Sequence, residues 1–249
     1  MKHTTPLSSA IHSTIESIEL KNVTFSYSHQ KPVFENLSLE LPVGQNILIR
    51  GEPGEGTSTF LKLLAVVHQP QAGQVLINGL DTSQMSFEEF LPHRMQIGYT
   101  FDYGGLFANR SLLDNLTLPL LYHNTFSFEE SRERATDLAS HFGFAKKLSE
   151  KPAAVTGGLR KLVSVLRTLM MNPQMLVMDD PFMGVDPQNV ARLITLLNAR
   201  RERGEIKHLF LTSRDTNWPK QLGCEVMTIR DGIFECEFRP KLLKTGEAA

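Results

Sequence analysis

A glycine-rich segment in the first quarter of the chain limits the possible folds more than any other feature. Glycines stand at positions 51, 54 and 56, after a short apolar run at 47–49 and before an apolar pattern with helical spacing from Ser58. Such a loop lets backbone N–H groups converge on an anion, and the N-terminus of the following helix adds partial positive charge. The segment therefore predicts a strand, an anion-binding loop and a helix in immediate succession.

The residues of this loop fit the phosphate-binding frame G-x-x-x-x-G-K-[ST] except at one position. The segment GEPGEGTS, residues 51–58, places Thr57 where the frame has lysine and Ser58 where it has the hydroxyl that binds Mg²⁺. Two other interpretations stay open at this point. The loop is a turn without a ligand, or Thr57 is the N-cap of the helix rather than a phosphate ligand.

Strand and helix patterns alternate along the rest of the chain. The pattern at 101–165 predicts a predominantly helical region, in which Ser127 followed by Glu130 forms a capping-box pattern. The apolar runs MLVM at 175–178 and HLFLTS at 208–213 are typical of strands that are buried on both faces. This alternation predicts an α/β fold with a mostly parallel sheet.

Shorter signals predict antiparallel pairing towards both ends of the chain. Alternating apolar and polar residues at 15–27 predict strand structure with a turn at Lys21-Asn22, and a second strand follows in VFENLSLEL at 33–41. Asn78-Gly79 and Asp231-Gly232, each between two apolar runs, predict tight hairpins. An antiparallel layer is therefore expected near the N-terminus.

Composition excludes several classes of function. The 249 residues include 26 basic and 27 acidic side chains, a net charge of −1, so no overall attraction to nucleic acid or to an anionic membrane is expected. No apolar run approaches the roughly 20 residues needed to span a bilayer, and the start of the chain predicts no leader. Two cysteines, Cys224 and Cys236, are too few for a disulfide framework or a zinc site.

Two further motifs lie downstream of the glycine-rich loop. Asp179-Asp180-Pro181 follows the apolar run at 175–178, and P-loop enzymes hold Mg²⁺ with a carboxylate at the end of such a strand. The segment AVTGGL, residues 154–159, stands shortly before it at the start of a helix. In order and spacing the three motifs resemble those of the ATP-binding-cassette (ABC) ATPases, and AVTGGL is similar to the family's L-S-G-G-Q signature.

The resemblance covers about residues 15–238 and implies a fold. It implies an α/β P-loop NTPase with a mixed sheet core, an antiparallel N-terminal β layer and a helical subdomain. After a flexible N-terminus at 1–14, a single domain at 15–249 is expected. Its RecA-like core would comprise about 15–100 and 166–240, and its helical subdomain about 101–165.

The resemblance also implies which residues form the site. Tyr27 stands where the family's aromatic residue stacks on adenine. The implied site then comprises Gly51, Gly54, Glu55, Gly56, Thr57, Ser58 and Thr59 for the ATP phosphates, Ser58, Asp102 and Asp179 for Mg²⁺, Asp180 and Arg214 at catalytic positions, Thr156, Gly157 and Gly158 in the signature, and Asp186 in the D-loop.

Several residues depart from the family pattern, and the departures fall on chemistry. The family's P-loop lysine, Q-loop glutamine, catalytic glutamate and switch histidine are replaced by Thr57, Asp102, Asp180 and Arg214. The signature ends in Leu159, and Leu162 stands where an arginine is expected. A hydrogen bond to a charged partner contributes about 1.5–3 kcal/mol, so loss of the lysine weakens phosphate binding by about one to two powers of ten. Weak ATP binding and little or no hydrolysis are therefore expected.

The first functional hypothesis is a nucleotide-binding subunit of an ABC transporter. Residues 101–107, FDYGGLF, and 179–187, DDPFMGVDP, are most similar to the subfamily that powers MCE-type (Mla-type) lipid transport. In this family a nucleotide is held between two subunits, and residues 101–115 would receive a separate transmembrane permease. The implied location is cytoplasmic, on the inner face of the cell membrane.

The second hypothesis is a catalytically inactive structural or regulatory subunit. Such a subunit would keep the fold and the permease contact and would pair with an active paralogue, so both a homodimer and a heterodimer stay open. A third hypothesis, an ABC protein that acts on nucleic acid, is less favoured because such proteins usually carry two cassettes and this chain has one. Cargo and direction of transport do not follow from the sequence.

Overall fold

The computed structural model describes residues 14–28, 31–215 and 217–236. The predicted flexible segment at 1–14 lies outside these residues except for Thr14, and so does the end of the predicted domain after residue 236. In chain order the elements are β1 (Ile18–Phe25), β2 (Phe34–Glu40), β3 (Asn46–Arg50), α1 (Thr57–Leu64), β4 (Ala72–Ile77), β5 (Leu80–Asp81), α2 (Phe87–Met95), β6 (Ile97–Thr100), α3 (Leu112–Tyr122), α4 (Phe128–His141), α5 (Gly157–Leu169), β7 (Met175–Met178), α6 (Pro187–Glu202), β8 (His208–Thr212), α7 (Asn217–Gln221), β9 (Glu225–Arg230) and β10 (Ile233–Cys236).

The strands form two sheets. Strands in the order β2-β1-β4-β5 make an antiparallel sheet, which confirms the predicted layer near the N-terminus. The second sheet has the order β10-β9-β3-β8-β7-β6 and is parallel except for β10, which confirms the mixed core. Helices α3 and α4 lie within the predicted helical region at 101–165, and α5 begins in it but continues to Leu169. Ser127 forms the predicted capping box at the start of α4.

The central sheet separates two hydrophobic clusters. Side chains alternate across a strand, so Leu48 packs in the cluster with α3, α5 and α6, whereas Ile47 and Ile49 pack in the cluster with α1 and β1. Every residue of β7 and β8 is buried, as expected for parallel strands covered on both faces. The carboxyl ends of β3, β7 and β8 consequently meet at one edge of a fully packed sheet.

The predicted turn at Lys21-Asn22 is wrong, whereas both predicted hairpins are confirmed. Strand β1 continues through these residues, with a register irregularity against β2 and β4, and Asn22 has a φ of 50°. The Asn22 N–H donates to the Ser38 hydroxyl, so the extra residue is accommodated as a bulge instead of reversing the chain. Asn78-Gly79 connects β4 to β5, and Asp231-Gly232 connects β9 to β10.

None of the helices in the described ranges is both long and apolar enough to cross a bilayer.

His208 is a buried histidine at the start of β8. Its Nδ1 accepts from the Gly44 N–H at 3.0 Å, and its Nε2 lies 2.8 Å from the Ile15 carbonyl, so Nε2 carries the proton. Burial lowers the pKa of His208, the bond to Ile15 opposes this shift, and the nearby charges of Lys207 and Arg201 add to it. Protonation of Nδ1 would break the bond from Gly44.

The stability of the fold is therefore expected to fall in mild acid. The contribution of neutral His208 is complete above its unfolded pKa of 6.5 and is lost as pH falls towards its lower folded value. The midpoint of urea unfolding should decrease between about pH 7 and 5 in the wild type, and His208→Gln should flatten this dependence. His141→Gln, at an exposed histidine at the end of α4, is the control. An equal slope in all three proteins would contradict the prediction.

Candidate functional site

A cleft of about 740 Å³ opens at the carboxyl ends of β3, β7 and β8. Its lining brings together residues from segments that are far apart in the sequence. From the predicted site the lining contains Gly51, Gly54, Glu55, Thr57, Ser58, Asp102, Asp179, Asp180 and Arg214. The glycine-rich loop, the two aspartates after β7 and the segment after β8 therefore surround one volume.

The backbone of the glycine-rich loop leads directly into α1. Gly56 is the N-cap of this helix with φ 87° and ψ 15°, a left-handed conformation that side chains other than glycine rarely adopt. A Cβ at Gly56 would lie 2.4 Å from Val33 Cγ1, so close packing also requires glycine there. The alternative that Thr57 is the N-cap is wrong, because Thr57 is the first helical residue and the cap has no side-chain hydrogen bond.

The Thr57 side chain lies across the mouth of the loop. Its Cγ2 would be only 2.9 Å from a Cβ built on Gly51, so its methyl group faces the opposite limb of the loop. Glu55 is also held in place, since its carboxylate accepts from the Asp231 N–H at 2.6 Å. The loop is thus tied to the turn between β9 and β10, and the lysine position is occupied by a short neutral side chain.

Asp179 and Asp180 are fixed at the end of β7 through Thr212, the last residue of β8. The Thr212 hydroxyl donates to Asp179 Oδ1 at 2.7 Å and accepts from the Asp180 N–H at 2.9 Å. Asp179 is 5% exposed, and Asp180 has a φ of 43°. One threonine therefore orients the Asp179 carboxylate and anchors the backbone at Asp180, and it was not among the predicted site residues.

Charged groups on several segments influence the Asp180 carboxyl. Burial raises the pKa of Asp180, the charges of Lys161 and Arg214 oppose that shift, and the carboxylates of Asp179 and Asp102 add to it. Arg214 is exposed in the cleft lining. Since a guanidinium stays charged, Arg214 can attract an anion but cannot accept a proton.

Negative charge exceeds positive charge in the lining of the cleft. Two arginines that were not predicted, Arg50 before the loop and Arg230 before the β9–β10 turn, join Arg214 as its cations. Against these three stand the carboxylates of Glu52, Glu55, Asp102, Asp179 and Asp180. A bound cation would therefore favour the entry of a polyphosphate into this cleft.

The residues predicted for Mg²⁺ fit such a cation. Asp179 has one carboxylate oxygen bonded to Thr212, and Ser58 and Asp102 line the same cleft. No three His, Cys, Asp or Glu residues converge in metal-binding geometry anywhere in the described ranges. Mg²⁺ usually takes only one or two carboxylates and completes its octahedron with water and phosphate oxygens, so this donor set suffices.

Tyr27 and Thr59 lie beside the cleft, outside its lining. The Tyr27 hydroxyl is 3.0 Å from the Thr59 hydroxyl on α1, and its ring contacts the edges of Phe25 and His68. Thr59 is 5% exposed. Neither residue is among those that line the cleft, and the role of Tyr27 in adenine stacking stays a prediction.

The signature-like turn forms a separate surface at the start of α5. The Thr156 hydroxyl accepts from the Leu159 N–H and caps the helix, and Asp186 caps α6 in the same way. Gly158 lies against the backbone of Gly184, where an added Cβ would be 1.9 Å from the carbonyl oxygen. The first turn of α5 and the loop before α6 therefore form one tightly packed unit with Gly157 at its exposed side.

Lys161, on the next turn of α5, was also not predicted. The one sequence signal for a role is its position, because this charged residue lies among the buried apolar residues Leu162, Val163 and Val165. Its ammonium donates to the carbonyl oxygens of residues 101, 102 and 179. It therefore lies directly beneath the cleft.

Comparisons with known proteins show similarity to the ATP-binding proteins of transporters. A family profile described as ABC transporter matches residues 34–183. The probable ribonucleotide transport ATP-binding protein mkl of Mycobacterium leprae is 32% identical over 181 residues, which are 73% of this chain and 52% of that protein. The methionine import ATP-binding protein MetN of Escherichia coli K12 is 31% identical over 199 residues, 78% of this chain and 57% of that protein. The chain thus spans about half the length of these curated relatives.

A solved structure shows the same fold. The dimeric ATP-binding cassette MJ0796, in a post-hydrolysis state bound to ADP and Pi, superposes with a TM-score of 0.77 at 26% sequence identity. The match covers 92% of this chain and 100% of that chain. It confirms the predicted α/β cassette with mixed sheets and a helical subdomain.

Proposed function

The chain belongs to the ABC transporter family of ATP-binding proteins, and we propose that it is the nucleotide-binding subunit of a transporter that binds ATP weakly and hydrolyses it slowly or not at all. One observation carries this proposal. The cleft combines an anion-binding loop with a metal-binding carboxylate, yet Thr57 and five carboxylates stand where a phosphate site needs positive charge. Phosphoryl transfer depends mainly on positioning and charge stabilisation, so this cleft favours binding over turnover.

The residues of the cleft would bind ATP in the following way. Backbone N–H groups of the loop and the N-terminus of α1 would receive the phosphates. Mg²⁺, held by the Ser58 hydroxyl and the Asp179 carboxylate, would neutralise phosphate charge. Asp180 keeps a carboxylate at the catalytic position on a shorter side chain, and a misplacement of ~1 Å reduces a rate by about 10²-fold. Arg214 would attract the terminal phosphate without moving a proton.

A second cassette would complete each nucleotide site. Thr156, Gly157 and Gly158 lie at the N-terminus of α5, where exposed backbone can approach a phosphate bound to a partner. In a homodimer both sites would contain the altered cleft. In a heterodimer with an intact cassette, this surface would serve the partner's site, and one site would remain active.

We further propose that the cargo is a lipid and that the chain works at the inner face of the cell membrane. The proposal rests on the similarity of residues 101–107 and 179–187 to MCE-type cassettes, together with a separate permease that would bind at 101–115. Within that segment Tyr103 and Phe107 are exposed aromatic residues suited to such a contact. The relatives mkl and MetN carry names that refer to ribonucleotide and methionine transport, which are the competing cargo classes.

The alternative is a structural or regulatory subunit without turnover. The excess of negative charge in the cleft favours this alternative. The replacements that weaken ATP binding also remove the groups that the family uses for hydrolysis. Such a subunit would still fold and assemble, since the residues at the four altered catalytic positions, Thr57, Asp102, Asp180 and Arg214, lie outside both hydrophobic clusters.

ATPase measurements on the purified protein, alone and with its permease in liposomes, separate the two functions. Turnover that is lost in Asp180→Asn would support a slow ATPase, because it would locate the reaction in this cleft. No detectable ATP hydrolysis, together with a normally assembled complex, would support the inactive subunit. Turnover that persists unchanged in Asp180→Asn would contradict the proposed site.

A further inference from the structure

Lys161 is a buried cation with a fully used set of hydrogen bonds. It is 4% exposed, and its ammonium donates to the carbonyl oxygens of Phe101 at 3.1 Å, Asp179 at 3.1 Å and Asp102. A lysine ammonium has three donors, so none is left without a partner. Burying a charge is unfavourable unless the charged group is hydrogen-bonded, and here all three acceptors are backbone carbonyl oxygens.

The three carbonyls belong to two different strand ends. Phe101 and Asp102 follow β6, whereas Asp179 follows β7, and Lys161 itself belongs to α5. One side chain therefore joins three segments: the loop proposed to face the permease, the strand that carries the metal carboxylate, and the helix that begins at the signature-like turn. Within the described residues, no other side chain forms hydrogen bonds that join the loop after β6, the end of β7 and helix α5.

The surroundings of Lys161 are acidic as well as buried. Burial lowers the pKa of Lys161, and the carboxylates of Asp180, Asp102 and Asp179 oppose this shift. These carboxylates line the cleft directly above it. Its charge therefore offsets part of the repulsion among them.

We propose that Lys161 is a positioning residue for the metal-binding side of the cleft. It holds the backbones of Asp102 and Asp179 in a fixed relation and links both to the first turns of α5. Because Thr156–Gly158 begin this helix, a partner that displaces the turn would move Asp102 and Asp179 with it. The metal-related part of this proposal rests on the proposed function, whereas the linkage between the three segments does not.

Hydrogen–deuterium exchange on the full chain without nucleotide tests the linkage. The Gly104 N–H donates to the Phe101 carbonyl, and the Asp179 N–H donates to the Thr100 carbonyl, so each amide reports on one strand end. In Lys161→Met both amides should exchange at least tenfold faster, and Lys161→Arg should restore most of the protection. Lys161→Gln, which keeps two donors without the charge, provides a second variant in case Lys161→Met does not fold.

Arg160→Met is the matched control. Arg160 precedes Lys161 on the same helix, is exposed, and donates to the carbonyls of Pro152 at 3.2 Å and Val155 at 2.7 Å. The substitution Arg160→Met therefore removes a cation and two hydrogen bonds to backbone carbonyls, and neither carbonyl belongs to the end of β6 or β7. Exchange in the control should stay within twofold of wild type at Gly104 and Asp179.

Calorimetric titration with ADP, in Mg²⁺ and in EDTA, tests the effect on the metal side. Lys161→Met should reduce the gain in ADP affinity that Mg²⁺ provides by at least tenfold and leave the affinity in EDTA within about twofold. A purely structural role would lower both affinities together.

If the wild type binds no ADP at all, the proposed function fails, but the exchange experiment still decides the role of Lys161. Unchanged exchange at both amides in Lys161→Met and Lys161→Gln, a uniform rise across the chain, or an equal effect of Arg160→Met would overturn the proposal.

Discussion

Thr57→Lys is expected to raise the affinity for MgATP by about 10- to 100-fold. The Thr57 side chain already lines the cleft and faces Gly51 across the loop, so a lysine there would start from the correct place and extend into the anion site. A hydrogen bond from a charged donor contributes about 1.5–3 kcal/mol, which corresponds to this range of affinity. Titration of a fluorescent ATP analogue in Mg²⁺ would measure the change.

Two controls separate a correctly placed charge from a general reduction of the acidic excess. Thr57→Val should leave the affinity within about twofold, since the threonine makes no described hydrogen bond to the loop. Glu52→Lys adds a cation at another lining position and should give a much smaller gain than Thr57→Lys. If Glu52→Lys matched Thr57→Lys, or if Thr57→Lys had no effect, the loop could not be regarded as an intact phosphate cradle.

The sequence was informative about the fold wherever a pattern reflects burial on both sides of an element. MLVM and HLFLTS became β7 and β8 because an uninterrupted apolar run can be satisfied only inside the sheet. Helix α2 and strand β6 were missed because neither contains such a run, although β6 is fully buried. The helix has no buried residue and contains Pro92, and the four-residue strand includes Gly98, so neither has a periodic apolar signal.

Only the parts of the candidate site that lie in short sequence motifs could be predicted from the sequence. Residues 51–58 and 179–180 converge because each follows a parallel strand, and carboxyl ends of parallel strands share one edge of the sheet. Thr212 and Lys161 were missed because their roles arise from contacts between segments that are far apart in sequence. Lys21-Asn22 illustrates a related limit, since the same residues suit a turn or a bulge and only the partner strands decide.

Gly158→Ala should be among the most destabilising single substitutions in the chain. A Cβ at this position would lie 1.9 Å from the Gly184 carbonyl oxygen and 2.8 Å from its carbonyl carbon, and backbone atoms cannot move aside as a flexible side chain can. We expect a loss of roughly 2–4 kcal/mol in the free energy of unfolding, because the first turn of α5 must separate from the loop before α6. Urea unfolding followed by circular dichroism would measure it.

Gly157→Ala provides a control one residue away in the same turn. There an added Cβ would meet only the Arg160 guanidinium at 3.7 Å, an ordinary contact with a flexible side chain. Alanine also loses less backbone entropy than glycine in a helix, so the change should be within about 1 kcal/mol of wild type and in the stabilising direction. The pair therefore distinguishes a steric requirement at Gly158 from a general need for glycine in this motif. Equal losses in both variants would indicate that the signature-like turn is held in place by something other than the close approach of Gly158 to Gly184.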